Sequence, residues 1–314
     1  PTVKEPPQTK KRFVEIKKSG TKNIVKLAYK GVSGRHPDYV ALKVLAAILT
    51  VGKSSRCYKA FVEKGLASHV SHSFHAHYDP GLFSILVTIN NTTDHATIQS
   101  QLETIIQDVK HNGVTEDECA VIKALLKKQL AFSKDGSFSI AAYLNESIAT
   151  GDWTFYSSFY KKIQSVTPTD ILRVAHQYLT EDQVTIGYYK SISSDHITEH
   201  IDQDETLSTH QPPTGDGSLP EMSHHNNASH SLDPMTISKQ IISSDPMKGV
   251  SLHTLKTETP DILRMVLSFP GGSVYETSSI PFQSLLTAQM CEESTQFTHK
   301  NIFNQKLESL GATV

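Results

Sequence analysis

"ASHVSHSFHAHYDPGLFSILVTIN", residues 67–90, decides the fold class of this chain. In its second half Phe83, Ile85, Val87 and Ile89 recur at every other position, so all four lie on one face of an extended strand. Asp79-Pro80-Gly81 separates this run from "ASHVSHSFHAHY", and that residue combination favours chain reversal. The stretch therefore predicts two antiparallel strands joined by a hairpin-like turn. A half-buried sheet needs a cover, and the flanking sequence must supply it.

Further strands stand on either side. "NIVKLAYK" within the extended stretch 12–30 alternates Val25, Leu27 and Tyr29, and residues 183–190 alternate Val184, Ile186 and Tyr188. Helices fill the spaces between. Pro37-Asp38 opens one in which Leu42, Leu45 and Leu49 recur at helical spacing. Gly52 breaks it, and Ser54 or Ser55 can cap "SSRCYKAFVEKG", which Gly65 ends. Further helices are predicted near 94–112 (Leu102, Ile105, Ile106, Val109), 115–133 (Ile122, Leu125, Leu126, Leu130), 137–150, 153–165 and 168–179. The expected fold class is α+β, an antiparallel sheet with helices packed on one face, spanning 12–190.

Composition changes at 191. Residues 191–236 contain no aromatic side chain and six of the sixteen histidines, with clusters such as "QPPTGDG" and "SHHNNASH". Such a segment cannot bury enough apolar surface to offset roughly 1–2 kcal/mol of backbone entropy per residue. The expected organisation is a tail at 1–11, a folded domain at 12–190, a polar His-rich linker at 191–245 whose residues 191–236 should be mobile, and the truncated start of a second unit at 246–314. In that unit "GVSLHTLKTET" and "DILRMVLSFPGG" read as strands, "PFQSLLTAQMCEES" and "NIFNQKLESLG" as helices. Both ends of the chain read as cut points.

Bulk properties exclude several functions. Lys+Arg 30 against Asp+Glu 32 gives a formal charge of -2, which offers no basic surface for nucleic acid or anionic lipid. Cys57, Cys119 and Cys291 are too far apart for a CxxC zinc site or a disulfide framework. No apolar run reaches the ~18–20 residues of a membrane span.

"HITEH", residues 196–200, spells His-x-x-Glu-His. On a helix His196 and His200 would lie one turn apart with Glu199 beside them, a geometry that can hold zinc and move a proton from metal-bound water. The setting argues against it. "SISSD" and "IDQDETLST" supply no apolar stripe to dock a helix, and Glu276, the one downstream carboxylate proposed as third ligand, sits in the strand-like "GGSVYE". HITEH is read as solvated linker. His75, His77 and Asp79, two apart on a strand that also carries His72, could chelate a metal, but polar alternation is the ordinary solvent face of an antiparallel strand. Gly52-Lys53-Ser54-Ser55-Arg56 resembles a short phosphate loop yet lacks the Gly-x-x-x-x-Gly-Lys frame, so it is read as a helix cap. Asn227-Ala228-Ser229 is a glycosylation sequon. No Ser/His/Asp or Cys/His set can be assembled.

The stretch 12–190 resembles the second domain of the pitrilysin/insulinase zinc metallopeptidases, the inverzincins. The carrying residues are "HPDYVALKVLAAILTVGKSSRCYKAFVEKGLASHV", "DPGLFSILVTI", "GVTEDE", "GDW" and "VTPTDILRVAHQYLTEDQVTIGYY", in the family's order and spacing. The resemblance implies two related α+β domains per half-molecule and two halves joined by a linker. This chain would then hold the second domain of a first half, the linker, and the opening of a second half. The family's zinc and general base lie on a helix of the first domain, ahead of Pro1. That first-domain pattern recurs after the linker as "LSFPGGSVYETSS" and "LLTAQMCEEST", with Met290 and Thr295 matching. Where the family has His-x-x-Glu-His, this chain has Leu285, Leu286, Thr287, Ala288 and Gln289.

The expectation is therefore a non-catalytic fragment of a tandem zinc metalloendopeptidase that cleaves peptides in a closed chamber. No catalytic, cofactor-binding or metal-binding residue is assigned to the fragment, and zinc is expected in the parent only. Expected partners are a peptide or small-protein substrate, the missing catalytic domain, and a second copy of the chain. The alternative is a partner subunit or assembly protein of the same fold without zinc.

Overall fold

The computed structural model describes residues 8–132, 137–192, 241–247, 250–255 and, with interruptions, 265–312. Five strands make one sheet: β1 (Arg12–Ser19), β2 (Asn23–Lys30), β3 (Ala67–Ser73), β4 (Leu82–Ile89) and β5 (Val184–Ile192). Their order is β1-β5-β2-β4-β3. The alternating positions identified in the sequence meet in register at its centre. Val25 faces Val87 and Tyr188, Leu27 faces Ile85 and Ile186, and Tyr29 faces Phe83 and Val184. All of these side chains are buried.

Helices cover that face: α1 (Tyr39–Thr50), α2 (His95–Asn112), α3 (Glu116–Phe132), α4 (Ser137–Ala149), α5 (Phe155–Ser165) and α6 (Pro168–Tyr178). Every residue of α1 except Lys43 is buried, as expected of a helix enclosed by its neighbours. Leu42, Leu45 and Leu49 join Ile98, Leu102, Ile163 and Ile171 in the core. The domain is α+β with its helices on the buried face of the sheet. One refinement concerns strand direction. β1 and β2 are separated by three residues, yet β5 lies between them, antiparallel to β2 and parallel to β1. The sheet is thus antiparallel from β5 to β3, with a parallel strand added at one edge. All eight residues of β1 are exposed.

Local capping shows where neighbouring residues suffice. Thr167 and Asp170 form a reciprocal capping box at the start of α6, with Thr167 N donating to Asp170 Oδ2 at 2.9 Å and Asp170 N to Thr167 Oγ1 at 3.2 Å. Asp38 stands at the corresponding place before α1 but makes no capping bond. Its carboxylate accepts instead from Arg173 Nη2 at 2.6 Å and from Tyr178 Oη at 2.7 Å, tying the start of α1 to α6. The Arg173 guanidinium outweighs the opposing effect of burial and holds the Asp38 carboxyl below the usual range.

Two further differences from the sequence reading bear on function. The helix expected over "SSRCYKAFVEKG" is short and contains a π-helical segment, Tyr58–Val62. Neither serine hydroxyl caps it: Ser55 Oγ donates to Gly52 O at 2.8 Å, and Ser54 Oγ is engaged elsewhere. Strand β3 ends at Ser73, so His75 and His77 follow the strand rather than lie on it.

The C-terminal region contributes α7 (Gln283–Met290) and α8 (Lys300–Ser309), and α8 packs along α3. Both belong to the same compact unit as the sheet. A separate unit holds a hairpin of β6 (Ile241–Met247) and β7 (Val250–Leu255). β6 begins inside the polar stretch read as linker. Its ladder pairs Ile241 with Leu255 and slips between Ser244 and Met247, where Pro246 cannot donate a ladder hydrogen bond. Residues 193–240, including HITEH and the sequon, lie outside the described residues.

Candidate functional site

The zinc question is local to α7. Leu285, Leu286, Thr287, Ala288 and Gln289 occupy consecutive positions of that helix, and all five are exposed. None carries an imidazole or a carboxylate, the donors such a centre requires. Among the described residues, no three His, Cys, Asp or Glu side chains converge in a way that could hold a metal ion. The residues present here do not fit the family's zinc.

The three histidines that end the β3 region separate in the structure. His72 pairs across the ladder with Ile85 and so shares the core-facing side. Its Nδ1 lies 2.6 Å from Thr50 Oγ1, whose proton goes to Ala46 O at 2.8 Å; Nδ1 then carries the ring proton and donates. Burial, aided by Lys43 and His75, pulls the His72 pKa down to about 4. It is a neutral core imidazole. The rings of His75 and His77 lie 6.0 Å apart, and Asp79 joins neither in a metal-like group.

His75 and His77 instead edge a cavity of about 560 Å³ bounded by α1, α3, α4 and α5. Tyr39, Phe74, Tyr143 and Phe159 supply its aromatic walls, with Lys43 and Glu146 as its charged groups. Lys43 Nζ donates to the Phe74 carbonyl at 3.0 Å, and burial lowers its pKa. Glu146 Oε2 accepts from Tyr156 Oη at 2.9 Å. Both charged groups are engaged with the protein itself. The arrangement can receive an apolar side chain.

Cys57 and Cys119 are no better placed for chemistry. Both are buried and free, and burial pushes their thiols up to about 12 and about 11. A thiol in that environment is a small core residue. Cys291 lies outside the described residues.

The Gly52–Arg56 turn is a densely bonded polar feature of the domain. Arg56 makes a two-pronged contact with Glu118, Nε to Oε1 at 2.7 Å and Nη2 to Oε2 at 2.9 Å. It also reaches Asp108 at 2.8 Å and the Gly113 carbonyl at 2.9 Å, joining the turn to the end of α2 and the start of α3. Burial pushes the Glu118 carboxyl upward, but the Arg56 guanidinium and the Thr115 amide together keep it below its ordinary value. Arg56→Met should destabilise the fold by about 2–3 kcal/mol, because a half-buried carboxylate loses charge-assisted partners. Arg56→Lys should recover only part, since one ammonium cannot reproduce the fork. Urea midpoints of the two variants and the original chain check this; a Lys midpoint equal to that of the original chain would show that the fork geometry is irrelevant.

The backbone side of the same turn is occupied as well. Lys53 N and Ser54 N donate to Glu308 Oε1 at 2.6 and 3.3 Å, and Ser54 Oγ donates to Glu308 Oε2. The loop that looked like a phosphate cradle therefore binds a carboxylate of α8. Sequence reasoning missed this residue. Glu308 stands in no motif with the turn, and more than 250 positions separate them.

Comparison with known proteins bears on this geometry. Residues 1–126 match the family model described as the peptidase M16 inactive domain. A zinc protease named PqqE from Helicobacter pylori is 26% identical over 193 residues, covering 60% of this chain and 43% of the relative. The crystal structure of a protease from the same organism superimposes with a TM-score of 0.57 at 26% identity, over 60% of this chain and 46% of the other. An inactive peptidase domain from Bordetella parapertussis shares the fold, with a TM-score of 0.52 at 22% identity, 60% of this chain and 98% of that one. The chain spans less than half the length of the first two relatives. The α+β sheet with one helical face agrees with the family match, and residues 1–126 of this chain are similar to the inactive domain of the M16 zinc proteases.

Proposed function

We propose that this chain is a supporting part of a tandem zinc metalloendopeptidase, forming one wall of a closed chamber in which a separate domain of the parent cleaves peptides. The observation that carries the reading is the residue set 285–289, which places Leu, Leu, Thr, Ala and Gln on a helix where the family carries its metal ligands. No step of hydrolysis falls to these residues, and the parent's zinc belongs to another domain. The organisation that goes with it is an inactive domain at 12–190, a linker at 191–245 and the opening of a degenerate second half at 246–314. A substrate peptide would meet this wall at a sheet edge, where β1 and β3 each keep one side without a neighbouring strand of the sheet, by adding a strand of its own.

The test is elemental and enzymatic. The purified chain, dialysed against a mild chelator, should retain no stoichiometric zinc and should hydrolyse no peptide. Tightly held zinc that disappears in His196→Ala, or peptidase activity lost in Glu199→Gln, would overturn the assignment. A zinc-free partner subunit is the competing reading. Sequencing the parent gene for a His-x-x-Glu-His helix outside these residues distinguishes the two.

A further inference from the structure

Glu308 is 9% exposed and directed into a turn made of backbone donors. Gly52 adopts φ +84°, a conformation that L side chains rarely take. A Cβ at Gly52 would also sit 2.5 Å from Glu308 Oε1, so the turn has room for the carboxylate only because position 52 has no side chain. The rest of the segment is attached by complementary contacts. Glu293 bridges Lys53, at 3.5 Å, and Lys300. Asn304 is 6% exposed where α8 meets the domain. The contact thus joins a turn of the inactive domain to a segment that the sequence assigns to the next unit.

We propose that the Gly52–Ser54 turn is a carboxylate receptor that fastens α8 to the inactive domain, with Glu308 as its resident ligand. The recognised chemistry is a side-chain carboxylate presented by a helix. Two amide N–H groups and a hydroxyl supply three donors to one anionic group, and partial burial strengthens each bond. The ion pairs through Glu293 are more exposed and add register rather than strength. A consequence is a directional coupling between the two segments: α8 stays ordered only while its carboxylate occupies the turn, whereas the turn needs only the anion. This inference is independent of whether the parent cleaves peptides.

Residue-resolved amide exchange on the full chain tests it. In the unmodified chain the Lys53 and Ser54 amides and the amides of α8 should exchange slowly. Glu308→Ala should speed both sets about tenfold or more, the factor expected when charge-assisted hydrogen bonds are removed. The amides of β2 and β4 should be unchanged, which shows that the sheet remains folded. Excess acetate added to Glu308→Ala should slow Lys53 and Ser54 again but leave α8 fast, since free acetate supplies the anion without the helix. Should Glu308→Ala disturb the sheet, Ser54→Ala, which removes only the hydroxyl, should still accelerate α8 by a smaller factor. Unchanged α8 exchange in a variant with an intact sheet, or no response of Lys53 and Ser54 to acetate, would overturn the proposal.

Discussion

Leu27→Ala is expected to lower the unfolding free energy by about 3–5 kcal/mol, the range for a fully buried leucine whose cavity cannot collapse. Leu27 is 0% exposed and sits on the middle strand, between Ile85 of β4 and Ile186 of β5. Both neighbours are held by their own ladders, so neither can move to fill the gap. Ile16→Ala provides the contrast. Ile16 lies on the edge strand β1 and is 45% exposed, so its truncation should cost no more than about 1 kcal/mol. Urea denaturation of the two variants measures both values. If their midpoints fall together, the buried face has been assigned to the wrong side of the sheet.

The second large effect is a dependence of stability on pH that originates at His72. Burial is the main cause of its low pKa, about 4 in the folded protein against the ordinary 6.5 of an imidazole in water, with Lys43 and His75 adding repulsion. The unfolded chain takes up a proton as pH falls through 6.5, whereas the folded chain resists until about 4. The unfolded state therefore binds more protons throughout that window. Stability contributed by neutral His72 is complete above 6.5 and is lost progressively toward 4, by about 3 kcal/mol in all. Glu118 and Asp38, whose pKa values are lowered, act in the same direction but at more acidic pH, where carboxylates become protonated. His72→Gln keeps a group able to donate to Thr50 and removes the titration. Chemical denaturation at a series of pH values should show the slope between 6.5 and 4.5 in the original chain and a nearly flat line in the variant. Identical slopes would mean that His72 is protonated inside the fold.

Much of this architecture is legible along the chain because its signals are periodic and local. Alternation of Val25, Leu27 and Tyr29, and of Phe83, Ile85, Val87 and Ile89, marks strand faces before any partner is known. Leu42, Leu45 and Leu49 mark α1 in the same way, and Thr167 with Asp170 needs only a spacing of three to form its capping box. The family resemblance rests on longer strings of such residues, and the missing ligands at 285–289 can be read directly. Each of these signals involves residues within a few positions of one another, where the geometry of a helix or strand dictates which atoms meet.

The features that escaped the sequence depend on single contacts between distant positions. Asp38 looks like a helix cap, yet Arg173 and Tyr178, 135 and 140 residues away, take its carboxylate. His72 carries no sign of its partner, and only the pairing of β3 with β4 sets it opposite Ile85 toward the core. The position of β5 between β1 and β2 reverses the pairing that adjacency suggests. The Gly52–Ser54 turn reads as a phosphate loop or a cap, and only folding brings Glu308 into it. By itself the sequence determined most strands and helices of 12–190, their apolar faces and the side chains at 285–289, because those properties follow from spacing and side-chain chemistry. The tertiary structure alone decided strand order, the neutral state of His72 and the partner of the turn, because a hydrogen bond between residues far apart in the chain leaves no periodic trace in either one.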